Sequence, residues 1–424
     1  PNPKPQTPNP KPQTPGILQM INIPEHIPHL SLLHIINKRM AIIILQAIGI
    51  TLLVAKAASQ QPQPDTDFTV PTPIIIPLDQ PVDVRLASLH SQFSSNFNQD
   101  FQGQIKTVKK SLGWFGYHVA KMLLTFYMNV KGDPTMYDEI SSYADTTGID
   151  FGDIVFLNYF YEAGCTSIIG RAGDQRTLLF GSNLDFDHAN FIRKYTYQGV
   201  FTRGGQTVFT GNGIYGMVGV VRGQRINNVD QNFAISINER DVDRGNLLIN
   251  LFFTEAIEVV YFIRKTLQLS SYQDALNAIM SQTLTTAAYY TIGGTWTTGG
   301  CVVERSANSV HNKTCLCTID PTINQCDNST GTDLWFIVQT NYDRDLPDPS
   351  DDYRRVPTEN LLNSMGQANF NNQSLYNILT TPPVKRVQTD EYLSITTIVC
   401  QNEEDQRTSS TWQMIMWNDY PPGA

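Results

Sequence analysis

From Cys165 onward the spacing of apolar residues changes, and any fold for this chain has to honour that switch. Before it the pattern is helical, with apolar residues recurring about every 3.6 positions. Leu86 to Met128 carries this spacing, interrupted near Gly113 and Gly116, and Tyr137 to Tyr161 holds two further helical segments; Ile74 to Ile76 reads as a short strand. After it, period two dominates. Thr177 to Phe180, Gly199 to Arg203, Thr207 to Thr210, Met217 to Val221 and Phe233 to Ile237 read as strands, with Gly, Asn and Asp between them. A long helix over Leu247 to Lys265 and a shorter one over Tyr272 to Ser281 follow. Strands return at Ala288 to Ile292, Cys301 to Arg305, Trp335 to Thr340, Ser394 to Cys400 and Trp412 to Trp417. Helical segments at Asn360 to Ala368 and Ser374 to Leu379 precede the last pair. Sheet, helices, sheet is what an α+β sandwich of two antiparallel sheets between helical layers requires.

Cys165 stands at the switch itself, preceded by Gly164 and followed by an apparent hairpin that ends in Asn183-Leu184-Asp185. A lone cysteine is ordinarily a small buried hydrophobe. Here the position suggests a processing point. Cleavage between Gly164 and Cys165 would leave a thiol and a free α-amine on one residue. That amine titrates at about 7.7–8.0 when unperturbed, so it can act as general base to its own thiol without a histidine.

Four blocks, in order, extend the pattern: Thr146 to Ile154 running through Glu162 into Cys165 to Ile168; Gly181 to Asp185; Ser236 to Arg240; and Gln339 to Arg344 joined to Asp351 to Pro357. On these residues the chain from about Asp67 onward resembles the acid ceramidase and N-acylethanolamine-hydrolyzing acid amidase family of cysteine N-terminal-nucleophile hydrolases. The resemblance implies an αββα sandwich and hydrolysis of fatty-acid amides, either N-acylethanolamines or ceramide-like lipids. It implies Cys165 as nucleophile, Asp185 as the acid orienting the new amine, Glu239 as a site-lining glutamate, Asn341 as side-chain oxyanion donor and Arg354 as the arginine near the scissile bond. Outside that resemblance, Asp185 reads as a turn residue, Glu239-Arg240 as an exposed ion pair and Arg354-Arg355 as solvated surface. Phe186, Tyr289 and Trp296 are candidates for an acyl pocket, although core packing accounts for them equally well. One departure stands out: the family has arginine where this chain has Ser182. A guanidinium there would favour the thiolate, so activity is expected to be altered, or rescued by another base such as Arg203 or Arg240. Two other readings follow from these residues: a catalytically silent lipid-binding relative, and an amidase of the same chemistry for penicillins or conjugated bile acids. A Cys/His protease using His188 is a weaker one.

The net charge of −9, from 39 acids against 30 bases, argues against a nucleic-acid partner. Residues 1–39 open with a repeated Pro-Asn-Pro-Lys-Pro-Gln-Thr tract that cannot build a core. Residues 40–57 combine Lys38-Arg39 upstream, a short apolar run and Ala55-Lys56-Ala57, the marks of a secretory signal with Met40 as start. The expected division is therefore a helical N-terminal subunit, 58–164, and a catalytic subunit, 165–424, forming an α/β heterodimer after self-cleavage. Lysosomal or secreted routing fits the sequons at Asn312, Asn328 and Asn372. Of six cysteines, Cys301 is left free in an apolar strand. Cys315, Cys317, Cys326 and Cys400 are disulfide candidates with three connectivities open. His311 with Cys315, Cys317 and Cys326 has ligand chemistry, but its place between two sequons favours disulfides and no metal. Residues 106–126 interleave Lys106, Lys109, Lys110 and Lys121 with Trp114, Phe115 and Leu123, a stretch able to rest on an anionic membrane or to pack as a helix with its lysines in water. Gly211 to Gly216 fits G-x-G-x-x-G, but a strand pattern follows it, so no helix dipole awaits a dinucleotide and no cofactor is expected.

Overall fold

The computed structural model describes residues 68–159, 164–186, 189–226, 232–240, 242, 247–317, 319–320, 325–326, 334–350, 352–386, 393–403 and 411–417. The leader and signal assignments, His188 and Asn328 lie outside the described residues, as does the side chain of Cys326.

Strands β1 (Phe68–Thr69) and β2 (Ile74–Pro77) precede helices α1 (Val82–Lys131), α2 (Pro134–Thr147) and α3 (Phe151–Tyr159). Then come β3 (Gly164–Arg171), β4 (Thr177–Phe186), α4 (Ala189–Tyr195), β5 (Thr196–Arg203), β6 (Gln206–Ile214), β7 (Arg222–Arg225) and β8 (Phe233–Glu239). Helices α5 (Leu247–Phe253), α6 (Val259–Thr266) and α7 (Tyr272–Ser281) lead to β9 (Ala288–Gly293), β10 (Gly300–Arg305) and β11 (Val310–Cys315). The chain closes through β12 (Ile319–Asp320), β13 (Gln325–Cys326), β14 (Phe336–Gln339), α8 (Arg355–Met365), α9 (Asn372–Thr380), β15 (Leu393–Glu403) and β16 (Thr411–Trp417).

One sheet runs β1-β16-β15-β4-β3-β14 and the other β11-β10-β9-β8-β7-β6-β5-β2. They face each other across an apolar layer that includes Ile169, Phe180, Ala234, Val302 and Ile398. Helices α8 and α9 cover the outer face of the first sheet, with Leu362, Leu375 and Leu379 packed on Ile168, Leu179 and Val399. On the second sheet's side, α6 and α7 join the N-terminal helices in the largest cluster, Phe262 and Ile279 among its buried members. This is the αββα arrangement. Strands β3 and β4 are buried along their whole length because both faces are covered, so period two alone could not place them.

The expected subunit boundary is not a boundary of the sandwich. Strand β1 pairs with β16 in one sheet and β2 with β5 in the other, so residues before Cys165 contribute to both. Each is an edge strand. That is where Pro77 is tolerated, because an edge needs fewer ladder donors.

Three expectations change. Met217 to Val221 is a buried loop rather than a strand: Gly216 (φ 90°) and Gly219 (φ 157°) break it, and Val220 N–H reaches the Val260 carbonyl. The strand is the polar run Arg222–Arg225, fully buried. Leu247 to Lys265 divides into α5 and α6, because Glu258 ends the intervening turn by capping α6 through Val260 N–H (2.9 Å) and Tyr261 N–H (2.6 Å). In α1 the break expected near Gly113 is present, with φ 73° there. Trp114, Phe115, Met122 and Phe126 on this helix are exposed. Lys121, expected as part of a basic face, is instead paired with Asp150 and Asp153 at the start of α3. Among the described residues no helix is long and apolar enough to cross a membrane.

Glu258 gives the fold a pH dependence. Burial pushes its carboxyl up to about 7, against an ordinary 4.5, although the backbone amides favour the charged form. Between those values the folded chain holds a proton that the unfolded chain has lost. Its contribution is therefore complete below 4.5 and disappears as pH rises through 7, about 3 kcal/mol in all. Urea unfolding at acid and neutral pH should show the wild type losing stability toward neutrality and Glu258→Gln losing markedly less.

Candidate active site

Cys165 lies one residue into β3, 2% exposed, and its side chain belongs to the same apolar cluster as Leu184 and Phe186. Antiparallel register sets Cys165 opposite Leu184 and Gly164 opposite Asp185. Alternation then sends Cys165 and Ser167 to the face between the sheets, and Thr166 with Asn183 and Asp185 to the other.

The backbone N–H of Cys165 donates to Asn341 Oδ1 at 2.8 Å, and Arg354 Nη2 donates to the same oxygen at 2.7 Å. Asn341 Nδ2 donates to the Glu239 carbonyl at 2.9 Å. Two donors on one side and an acceptor on the other fix the orientation of this amide. Arg354 is buried and reaches Asp185 Oδ2 (2.8 Å), Thr166 Oγ1 (3.2 Å) and Asp352. Asp185 is fully buried and also accepts from Ser394 Oγ at 2.7 Å. Burial pushes the Asp185 carboxyl up, more than Arg354, Arg386 and Ser394 bring it down. Burial also works against the charges of Asp352 and Arg354, but there the ion pair wins: Asp352 lies below its ordinary value and Arg354 above its own.

The five residues expected to be catalytic thus converge on one end of the sandwich, with Glu239 contributing its backbone carbonyl to Asn341. Asp185 connects to the Cys165 nitrogen through Arg354 and Asn341. Of the acyl-pocket candidates, Phe186 shares the Cys165 cluster. Trp296 does not: it packs with Cys317 and Ile319, against Arg171 at the far end of β3. The Tyr289 hydroxyl donates to Asp343 Oδ1 at 2.7 Å, so this ring serves an ion pair rather than an apolar lining. Neither base suggested to replace the missing arginine is near Ser182. Arg240 is held by both oxygens of Asp343 (2.6 and 2.7 Å), and Arg203 reaches Gln268 (2.9 Å).

Sequence reasoning passed over Asn238, Asp352 and Ser394. Asn238 Nδ2 donates to the Cys165 carbonyl at 3.2 Å, and its Oδ1 accepts from Ser167 Oγ at 2.7 Å. It sits inside the Ser236 to Arg240 block, and a buried asparagine beside a strand end was the available signal.

The cysteine assignments need correction. Strands β10 and β11 pair Cys301 with Cys315 in register, and these two form a disulfide with Cα atoms 4.0 Å apart. An apolar strand does not exclude a disulfide when its neighbour supplies the second thiol. Cys317 is also disulfide-bonded. Cys400 is free and buried among Phe180, Ile398 and Met414, and burial pushes its thiol up. With Cys315 oxidised, the His311 and cysteine set offers no thiolate from that position. Glu304, His311 and Asp343 bring ligand atoms within 4.8 Å of one another, but Asp343 is already bound by Arg240, whose guanidinium would oppose a cation. Asn312 is exposed on the edge strand β11; Asn372 begins α9, where Ser374 completes a capping box with Asn371.

No protein-family model matches the chain. Among curated proteins it is similar to N-acylethanolamine-hydrolyzing acid amidase of Mus musculus, 32% identical over 276 residues, 63% of this chain and 70% of the relative. The Oryctolagus cuniculus protein of the same name is 31% identical over 281 residues, 64% and 72% of the two chains. Acid ceramidase of Rattus norvegicus is 30% identical over 267 residues, 58% of this chain and 64% of that protein. A solved structure, the Caenorhabditis elegans N-acylethanolamine-hydrolyzing acid amidase ortholog, matches with TM-score 0.45 at 25% identity, covering 55% of this chain and 92% of that one. Fold and likeness together define an αββα hydrolase-type chain. It belongs to the N-acylethanolamine-hydrolyzing acid amidase and acid ceramidase family.

Proposed function

We propose that this chain is an amidase that hydrolyses fatty-acid amides, N-acylethanolamines or ceramide-like lipids, after cleavage between Gly164 and Cys165. The observation that carries the reading is the clamp on the Cys165 nitrogen, with Asn341 Oδ1 at 2.8 Å and Arg354 behind it. A structural cysteine has no need of its own backbone nitrogen being held by an asparagine that is itself fixed by a buried Arg–Asp pair. Once the peptide bond is broken, the same oxygen would accept a hydrogen from the α-amine and turn its lone pair toward the thiol.

The amine takes the Sγ proton, and the thiolate attacks the amide carbon to form a C–S bond. As the tetrahedral oxyanion collapses, the C–N bond breaks and the ammonium returns its proton to the leaving nitrogen. Water, deprotonated by the same amine, then attacks the thioester. Fatty acid leaves and the thiol is restored. Asn341 Nδ2 carries two N–H groups: one goes to the Glu239 carbonyl, and the other would be the donor to the oxyanion. Its Oδ1, which faces the Cys165 nitrogen, would orient the amine. Asp185 and Asp352 hold Arg354, and through it Asn341, in place.

The exposed Trp114, Phe115, Met122 and Phe126 give a surface suited to drawing substrate from a lipid–water interface. A lysosomal or secreted protein is consistent with the disulfides. The pieces 58–164 and 165–424 would stay together as a heterodimer, since each contributes strands to the sandwich.

Intact-mass measurement before and after acid incubation tests the reading. Two fragments meeting at Gly164 and Cys165 are expected, with both cleavage and release of fatty acid from an N-acylethanolamine lost in Cys165→Ala. A chain that stays whole under every condition, or hydrolysis that survives Cys165→Ala, would sink it.

A further inference from the structure

Ser182 removes a guanidinium from β4, yet a guanidinium still reaches that spot. Arg222, on β7 of the opposite sheet, is 1% exposed and crosses the layer between the sheets. Its Nη1 donates to the Ser182 carbonyl at 2.7 Å and to Ser182 Oγ at 3.2 Å. Its Nη2 donates to the Thr396 carbonyl at 3.0 Å and also to Thr396 Oγ1, and Nε donates to Asn212 Oδ1 at 3.2 Å. Ser182 and Thr396 flank Leu184, the residue paired with Cys165.

We infer that Arg222 takes over, from the facing sheet, the positioning role that the family's arginine has on β4, so that Ser182 and Arg222 act as one unit on Cys165. This rests on Cys165 being the nucleophile. Two features of the geometry carry it. The first is register: Ser182 pairs with Ser167, two residues beyond Cys165 on the same strand face. Diagonal neighbours of this kind lie about 7–8 Å apart, so the cation sits in the buried layer that the nucleophile faces, where charge is weakly screened. The second is a continuous hydrogen-bonded path. Arg222 holds Ser182; the Ser182 and Ser167 hydroxyls are 3.4 Å apart; Ser167 donates to Asn238 Oδ1 at 2.7 Å; and Asn238 Nδ2 grips the Cys165 carbonyl at 3.2 Å. Arg222 is thus a positioning residue. It fixes the strand that presents the thiol and lends that layer a positive charge, which favours thiolate. The small side chain at position 182 is what makes room for it: an arginine there would meet the Arg222 guanidinium head-on. The serine is then one half of a transposition rather than a loss.

The test uses the full, self-processed chain and four variants, Arg222→Met, Arg222→Lys, Ser182→Arg and the transposed double Ser182→Arg/Arg222→Ser. The main readout is the rate of Cys165 alkylation by iodoacetamide against pH, followed by intact mass. A merely structural arginine would not move that profile. kcat and KM for a fluorogenic fatty-acyl amide are measured alongside. Arg222→Met should alkylate roughly tenfold more slowly at mildly acidic pH, with its profile displaced upward by about one unit. The loss should fall on kcat more than on KM. Arg222→Lys should recover part of it, and the double variant most of it, outperforming either Ser182→Arg or Arg222→Met alone. A folded Arg222→Met with an unchanged alkylation profile overturns the inference, as does a folded double variant no better than Arg222→Met. If neither Arg222→Met nor the double variant folds, Arg222 serves packing alone and the inference is equally overturned. Failure of the nucleophile reading looks different: Cys165→Ala would then keep hydrolysis, whatever the Arg222 variants do.

Discussion

Arg354→Met is expected to abolish self-cleavage and to destabilise the chain by about 3–5 kcal/mol, the usual cost of breaking a buried ion pair from one side. The guanidinium joins Asp185, Asp352, Thr166 and the half-buried Asn341 in one cluster, with Arg354 and Asp185 themselves buried. Asp352 would retain Arg386, whose Nη2 lies 3.2 Å away. Asp185 would keep Ser394 as its hydrogen-bond donor but lose the cation beside it. Asn341 Oδ1 would lose the Arg354 donor that backs it and keep the Cys165 N–H and the Glu239 carbonyl, so its amide would be held less firmly at the Cys165 nitrogen. Misplacing a catalytic group by about 1 Å commonly costs on the order of 10²-fold, and losing the clamp outright should exceed that. The deficit carries a pH signature. Burial already raises the Asp185 carboxyl, and removal of Arg354 raises it further. A protonated Asp185 needs no cation, so the stability gap between wild type and variant should narrow as pH falls through that raised value and be widest near neutrality. Arg354→Lys keeps the charge but not the fork that spans four partners, so it should recover stability better than cleavage. Denaturant unfolding at several pH values, with intact mass for processing, checks both parts. Normal cleavage in a folded Arg354→Met would remove Arg354 from the site.

The parts of this site that were legible in the sequence are those held by short-range pattern. Cys165 marks the change from helical to strand spacing, and Asp185 ends the hairpin that register brings back to it. Asn341 and Arg354 come from loops, where no period exists, and only likeness to a family pointed to them. Arg222 was invisible for a different reason. Strand β7 reads Arg-Gly-Gln-Arg, which looks like a solvent turn, whereas the neighbouring apolar run Met217 to Val221 looks like the strand. Which of the two enters the sheet is decided by Gly216 and Gly219 and by partners distant in sequence, Ser182 and Thr396 among them. The Cys301–Cys315 disulfide was lost in the same way, since β11 is an exposed polar edge strand whose pairing with β10 is a tertiary fact. Trp296 illustrates the opposite error. A large aromatic in a chain expected to bind lipid invites a pocket role, but it packs against Arg171 at the wrong end of β3.

Glu139→Gln is expected to let the two pieces separate once the chain is cut. Glu139 lies on α2, before the proposed cleavage point, and Arg264 on α6, after it; they are joined by two hydrogen bonds of 2.5 and 2.7 Å, and Arg85 adds a third at 2.7 Å. Carboxylate and guanidinium are both buried. Burial disfavours charge on Glu139, yet Arg264 and Arg85 outweigh it and hold the carboxyl below its ordinary 4.5. A depressed carboxyl stabilises above the unfolded value and stops doing so only as pH falls through the folded one. The bridge should therefore survive the mildly acidic conditions that favour Glu258, its opposite in sign. Glutamine keeps the shape and one acceptor but leaves the Arg264 guanidinium buried without its counter-charge, a loss of about 3–5 kcal/mol. In the uncut chain that loss is borne by a fold still joined covalently, so expression and processing should persist. After processing, β1, β2 and contacts such as Tyr261 to Asp133 (2.8 Å) must hold the assembly unaided. Native mass measurement of dilute processed protein should show the wild type as one complex and Glu139→Gln shedding its N-terminal piece. Arg85→Met should shed far less, because Glu139 keeps Arg264 and the Arg85–Glu139 contact lies within the N-terminal piece. If processed Glu139→Gln stays intact at every concentration, apolar burial and strand pairing alone hold the heterodimer, and the ion pair contributes to α2 packing rather than to assembly.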